Sequence, residues 1–293
     1  MPLNIPGLLA PFQLLIHPRI VIPNVIVKDI RYLDFAALRK AGYRGAVFDK
    51  DNCLTIPYED TLVPELETAW AECRKTFGQG NVVIVSNSAG TQTDPGGIQS
   101  ESVSHHLQVP VLYHKSFKPA YSCVSSIRTY FSSLHRPISD DELIIVGDRI
   151  FTDIVLANRM RLTNPKRPTD PVHSPKPRGL LGEAFSCVFE KDGTASTERE
   201  GVRVEREKGM EQGRERRLVE GRGPLAVWTT GVWEREAMGM RWVEKRVVQA
   251  VEKWSTPQEE EASCESAKFI RRAKLEEEKQ SMSARLWSRL TRA

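Results

Sequence analysis

Four short runs of apolar, mostly β-branched residues set the terms of this chain: Gly45–Phe48, Val82–Val85, Val109–Tyr113 and Leu143–Val146. The runs are continuous instead of alternating, the pattern of strands buried on both faces of a parallel sheet with helices above and below. Each ends in polar, chemistry-bearing residues. Asp49-Lys50-Asp51-Asn52-Cys53 follows the first, Ser86-Asn87-Ser88-Ala89-Gly90 the second, His114-Lys115-Ser116-Phe117-Lys118-Pro119 the third, and Gly147-Asp148-Arg149-Ile150-Phe151-Thr152-Asp153 the fourth.

Two aspartates at i and i+2 leaving a strand project to the same side of the backbone, so both reach one phosphate. The first can attack phosphorus, and the second can exchange a proton with the leaving oxygen and then with water. An isolated Asp-x-Asp is more often a surface turn. Here the hydroxyl and N–H groups at Ser86, a lysine after the third run and the carboxylates Asp148 and Asp153 complete a phosphoryl-transfer set. Carboxylates and water are what magnesium prefers.

This ordered set resembles the haloacid dehalogenase (HAD) superfamily of phosphohydrolases over Arg44 to about Met160. The resemblance implies an α/β, Rossmannoid three-layer fold with a parallel central sheet. By it Asp49 is the nucleophile, Asp51 the general acid/base, and Ser86 and Lys118 the phosphate anchors. Asn52 and Asn87 are expected beside Ser86 and Lys118 among the substrate contacts. Mg2+ would be held by Asp49, Asp148 and the backbone carbonyl of Asp51, with Asp153 a further ligand or a carboxylate supporting the ligands. Lys118 is preferred to Lys115 because the lysine of the superfamily commonly precedes a proline, here Pro119. The spacings from Asp49 to Ser86 and from Ser86 to Lys118 leave no room for a large cap domain, and an open site suits a large or surface-held substrate.

Cys53 stands where many members carry threonine. A thiolate phosphatase needs an arginine six residues on, where this chain has Glu59, so Cys53 is expected to be a small packed residue. The five cysteines form no Cys-x-x-Cys pair and no His/Cys zinc spacing, which fits a reducing compartment.

The rest of the chain divides by composition. Residues 1–28 form an apolar arm, punctuated by Pro6, Pro11, Pro18 and Pro23 and free of acidic residues before Lys28, that either touches a membrane or packs on the domain. Residues 29–160 are the expected catalytic core. Residues 161–223 are Pro-rich and then charged, with 9 acidic and 9 basic residues from Glu190 to Arg222, and are expected to be a disordered insert. Residues 224–256 supply a last strand, Leu225–Thr230, and an amphipathic helix whose packing stripe is Met240, Val243, Val247, Val251 and Trp254. Residues 257–293 are a charged tail or a solvated helix. From Lys268 to Ala293 it carries eight Lys/Arg against three Glu with Trp287 among them, which suits an anionic membrane surface. No nucleic-acid motif accompanies the charge, and nucleic acid is not an expected partner.

Asp-Lys-Asp-Asn-Cys, Val-Ser-Asn-Ser-Ala-Gly, Lys-Pro and Val-Gly-Asp-Arg-Ile-Phe-Thr-Asp are also similar to the fungal mitochondrial phosphatidylglycerophosphatase branch of the superfamily. Leu225–Trp254 looks like the closing part of those proteins. That resemblance implies hydrolysis of phosphatidylglycerophosphate to phosphatidylglycerol, a cardiolipin precursor, on the matrix side of the mitochondrial inner membrane. The alternatives are a phosphatase for soluble metabolites or phosphoproteins, a receiver-like phospho-acceptor domain, and a catalytically dead scaffold.

Overall fold

The computed structural model describes residues 16–164, 223–235, 238–254 and 267–271. Five strands form one sheet, β1 (Val25–Val27), β2 (Gly45–Phe48), β3 (Val82–Ile84), β4 (Leu143–Gly147) and β5 (Leu225–Thr229), in the order β1-β5-β4-β2-β3 with every pairing parallel. Among the described residues six α-helices follow the chain: α1 (Phe35–Lys40), α2 (Glu67–Phe77), α3 (Ile98–Leu107), α4 (Tyr121–Ser132), α5 (Val155–Leu162) and α6 (Met238–Trp254). This is the expected α/β Rossmannoid architecture, with no large cap among the described residues.

Side-chain alternation along the strands divides the core in two. Ala46 and Phe48 of β2 point to the layer built by α1, α2 and α3, where Phe35, Trp70, Phe77 and Leu107 are buried. Val47 points the other way, toward Ile127 and Phe131 of α4, Leu156 and Met160 of α5, and Val248 and Val251 of α6. Trp70 is an anchor of the first layer: its ring meets Phe48 edge-on at 5.2 Å, and its indole N–H donates to the Leu107 carbonyl at 2.8 Å.

One expectation changes and two readings narrow. Val109–Tyr113 is not a strand of the sheet: Val111 alone forms a parallel bridge to Ile84. Pro110 lends its carbonyl to Ile84 but has no N–H with which to extend the ladder. Part of the arm packs on the domain, one of its two expected readings: Val25–Val27 pairs with β5 as the edge strand and Pro18–Val21 forms a 3-10 turn with Ile20 and Val21 buried. The five residues described from the tail are also docked. Ile270 bridges Leu33, Asp34 N–H donates to the Phe269 carbonyl, and Phe269 meets Tyr43 edge-on at 5.8 Å.

The last strand lies near its expected place, and it enters between β1 and β4 instead of at an edge. The chain returns to it where it left α5: a Cβ on Gly223 would lie 2.7 Å from Arg161 Cα, and Arg161 donates to the Pro224 carbonyl at 2.8 Å. A segment that leaves and re-enters at one point adds length without separating β4 from β5. Most of the insert, residues 1–15 and most of the tail lie outside the described residues.

Trp70→Ala should lower stability by about 3–5 kcal/mol through lost burial and an unfilled cavity. Trp254→Ala, on a side chain 87% exposed, should change it by less than about 0.5 kcal/mol. Urea unfolding followed by circular dichroism checks both.

Candidate active site

In an open parallel sheet the crevice forms at the carboxyl ends of strands where the strand order reverses. Here the chain runs outward from β2 to β3 and then crosses back to β4 on the other side of β2, so β2 and β4 flank that crevice. Asp49 extends β2 by one residue, its N–H donating to the Val146 carbonyl at 2.9 Å, and Asp148 stands just beyond the end of β4.

A half-turn later the chain tightens into a π-type turn, Ile150–Ile154, which folds Asp153 back over the strand end. Gly147 makes room for it, since a Cβ there would lie 2.3 Å from Asp153 Cγ. Oxygens of Asp49, Asp148 and Asp153 consequently lie within 4.8 Å of one another.

Lys118 enters this cluster from the loop after Val111. Its ammonium sits 2.7 Å from Asp49 Oδ1 and 2.7 Å from Asp153 Oδ1, with Lys118 only 2% exposed. Lys115 is exposed, so the cluster contains the lysine that precedes Pro119, as expected. Burial works against the charge on Lys118, but Asp153 and Asp49 outweigh it and raise its pKa above the ordinary lysine value. Burial pushes the Asp49 carboxyl well up, Lys118 pulls it down, and the neighbouring Asp153 and Asp148 push it up again. Asp148 is pushed up to about 6 by burial and by Asp153, against the pull of Arg241.

Asp51 is gripped on both oxygens. Oδ1 lies 2.7 Å from the ammonium of Lys50 and accepts the Tyr58 N–H at 3.2 Å, while Oδ2 accepts from Ser88 Oγ at 2.8 Å. Ser88 Oγ is in turn 2.8 Å from Ser86 Oγ, so a hydroxyl pair joins the loop after β3 to the second aspartate. His114 supports the same loop from behind, with Nε2 2.9 Å from the Ser86 carbonyl.

The two asparagines expected as substrate contacts sit close by, each hydrogen-bonded within the protein. Asn87 brackets Lys118: its Oδ1 accepts the Lys118 N–H at 2.6 Å, and its amide nitrogen donates to the Lys118 carbonyl at 3.5 Å. Asn52, with φ of 59°, turns its Oδ1 to the N–H groups of Trp233 and Glu234 and so ties the first motif to the segment after β5. Both hold the site's frame. Cys53 is buried, and burial pushes its thiol well above the ordinary range, so it is the packed neutral residue the motif suggested.

Sequence reasoning missed the contribution of α6. Arg241 pairs with Asp148 Oδ2 and also donates to the Asp148 carbonyl at 3.4 Å, which the Trp228 indole approaches at 3.0 Å. Glu244, one turn on, meets Arg149 Nε at 3.4 Å. Met240, Val243 and Trp254, expected on the packing face, are instead exposed, and Arg241, Glu244, Val248 and Val251 are buried. The signal was faint: an Arg and a Glu at i, i+3 read as a solvated pair unless their partners are known. Lys50 and Ser88 were missed for the same reason.

The donor set is all carboxylate, with one lysine and one arginine as its cations, and suits a hard divalent ion. A carboxyl whose pKa is higher in the folded chain than in the unfolded one destabilises the fold once ionised. For Asp148 that penalty is full above about pH 6 and is relieved as pH falls toward about 4. In metal-free protein the parent's stability should therefore fall as pH rises from about 4 to about 6, and this part of the fall should be missing in Asp148→Asn. Urea midpoints across that range in the presence of a chelator check it.

The family model described as mitochondrial PGP phosphatase matches residues 5–164. The chain is 37% identical over 159 residues to the chloroplastic/mitochondrial phosphatidylglycerophosphate phosphatase 1 of Arabidopsis thaliana, covering 54% of this chain and 44% of that protein. It is 40% identical over 171 residues to the chloroplastic phosphatidylglycerophosphate phosphatase 1 of Chlamydomonas reinhardtii, 58% of each. These two matches span about half the length of the plant and algal proteins. With the mitochondrial phosphatidylglycerophosphatase of Saccharomyces cerevisiae the identity is 32% over 158 residues, 54% of this chain and 83% of the yeast protein. No solved structure matches. The family model takes in the arm, β1 to β4, and every aspartate, serine and lysine of the cluster, and the chain belongs to the mitochondrial PGP phosphatase family.

Proposed function

We propose that this protein is a magnesium-dependent phosphatase that removes the terminal phosphate of phosphatidylglycerophosphate to give phosphatidylglycerol. The observation that carries this reading is Lys118 held 2.7 Å from Asp49 at the edge of a three-carboxylate cluster, with Asp51 two residues on and held separately. Family membership and the relatives' printed substrate support the lipid. The mitochondrial names among those relatives support a mitochondrial site of action. The arrangement suits a substrate presented at the anionic matrix face of the inner membrane.

In the proposed reaction Asp49 attacks phosphorus in line, and Asp51 protonates the departing glycerol oxygen. The product of this step is an aspartyl-phosphate on Asp49 and a free lipid alcohol. Asp51, then a carboxylate, takes a proton from water, and the resulting hydroxide displaces Asp49 from phosphorus. Lys118 neutralises the phosphate oxygens and pulls the Asp49 pKa down, toward the ionised form that attacks, against the upward push of burial and of Asp153 and Asp148. Ser86 Oγ and neighbouring N–H groups bind the phosphate, while Asn87 fixes the lysine's backbone. Asp49, Asp148 and Asp153, with the Asp51 carbonyl, would hold Mg2+, which supplies charge neutralisation at the transferring phosphoryl group when bound.

Phosphate release from phosphatidylglycerophosphate in mixed micelles, beside sugar phosphates and a phosphopeptide, tests the substrate class. Turnover should be confined to the lipid and lost in chelator. Preference for a sugar phosphate or the phosphopeptide would replace this reading with a soluble-substrate phosphatase. A stable phosphoprotein without phosphate release would point to a phospho-acceptor domain. Asp49→Asn should abolish turnover with the fold intact. Gly147→Ala, which forces Asp153 from its seat, should cut kcat by at least about 100-fold.

A further inference from the structure

A surface helix ordinarily buries its apolar stripe. Helix α6 does not. Its buried positions are Arg241, Glu244, Val248 and Val251, and two of these four are charged and spent on Asp148 and Arg149. The helix's own apolar stripe, Met240, Val243, Val247, Val251 and Trp254, is centred roughly 80° around the axis from that face at 100° per residue. Met240 is 43% exposed, Val243 40% and Trp254 87% as a result. Trp242, on the solvent side, is 60% exposed, with the Arg246 guanidinium over its ring at 5.3 Å.

The charge around this uncovered surface has one dominant sign. The exposed ionisable side chains of α6 are Lys245, Arg246 and Lys253 against Glu252. The Pro18–Val21 turn packs against the helix and adds exposed Arg19, with exposed Ile16 just before it. An indole under a guanidinium, beside aliphatic side chains and lysines, matches the interfacial zone of a bilayer, where rings sit at head-group depth and cations meet lipid phosphates. A symmetric contact with a second copy would instead bring these cations against their own equivalents, which disfavours it.

Position gives the surface a purpose. The buried residues of the same helix, roughly 80° around its axis from the stripe, reach the carboxyl end of β4, so whatever α6 rests on lies beside the Asp49 cluster. We propose that α6 is the surface by which this protein docks on an anionic lipid bilayer. Met240, Trp242, Val243 and Trp254 enter the interface, and Lys245, Arg246 and Lys253 meet the head groups. The inference rests on the lipid-phosphatase reading for its purpose but not for its geometry.

Co-sedimentation of the full chain with phosphatidylcholine vesicles containing about 30% phosphatidylserine, a lipid outside the proposed reaction, tests it. The combined variant Met240→Ser, Val243→Ser, Trp254→Ser should lower the partition coefficient roughly tenfold or more with unchanged circular dichroism. Its turnover of long-chain phosphatidylglycerophosphate in vesicles should fall, while turnover of a water-soluble short-chain analogue stays at the parent level. Charge reversal, Lys245→Glu, Arg246→Glu and Lys253→Glu, should abolish the preference for anionic over neutral vesicles and carries the test if the serine variant does not fold. Failure of the parent chain to bind vesicles, unchanged partitioning of the variants, or conversion of a dimer to a monomer by the serine changes would overturn the proposal. Retained vesicle binding without hydrolysis of either lipid would overturn the phosphatase reading and leave the docking surface standing.

Discussion

The ammonium of Lys118 lies between Asp49 and Asp153, 2.7 Å from each, in a place almost closed to water. Three carboxylates gathered within 4.8 Å would repel one another severely in such surroundings, and removing one partner of a buried ion pair is far costlier than the pair is stabilising. The loop that carries Lys118 must accordingly be held as firmly as the strands. Asn87 clasps its backbone from the neighbouring loop, and the single bridge between Val111 and Ile84 ties it to the sheet edge. A site of this kind is assembled by the sheet and then completed by charge.

The second cation, Arg241, comes from the far side of the inserted segment. Because Gly223 returns the chain to Arg161, β5 enters the middle of the sheet and α6 follows at the same end as the cluster. Two groups of residues separated by 93 positions thereby share Asp148. The cost falls on α6, which gives half of its buried face to charged residues and leaves Met240, Val243 and Trp254 of its apolar stripe outside.

Much of this was legible in the chain. Continuous apolar runs revealed β2, β3 and β4 because strands buried on both faces need no polar alternation. The order of polar residues after them identified Asp49, Ser86, Lys118, Asp148 and Asp153 as neighbours, and the structure brings together the three aspartates and the lysine. What escaped was decided by distant partners. A three-residue strand at Val25–Val27 is too short to stand out from a Pro-rich apolar arm, and Pro110 spoils a run that otherwise reads as a strand. The buried face of α6 cannot be deduced from its hydrophobic periodicity, because Arg241 and Glu244 are inside only by virtue of Asp148 and Arg149. Asn52 and Asn87, expected as substrate contacts, also hold the loops that carry the aspartates and the lysine, through distant partners no local motif reveals.

The account turns on Asp49 as the atom that receives the phosphoryl group. Acid-quenching the protein during turnover of phosphatidylglycerophosphate, reducing it with borohydride and mapping peptides by mass spectrometry tests this directly, because an aspartyl-phosphate is reduced to homoserine. The account predicts homoserine at position 49, dependent on substrate and absent in Asp49→Asn. Homoserine at Asp51, Asp148 or Asp153, or sustained turnover with none at position 49, would contradict it.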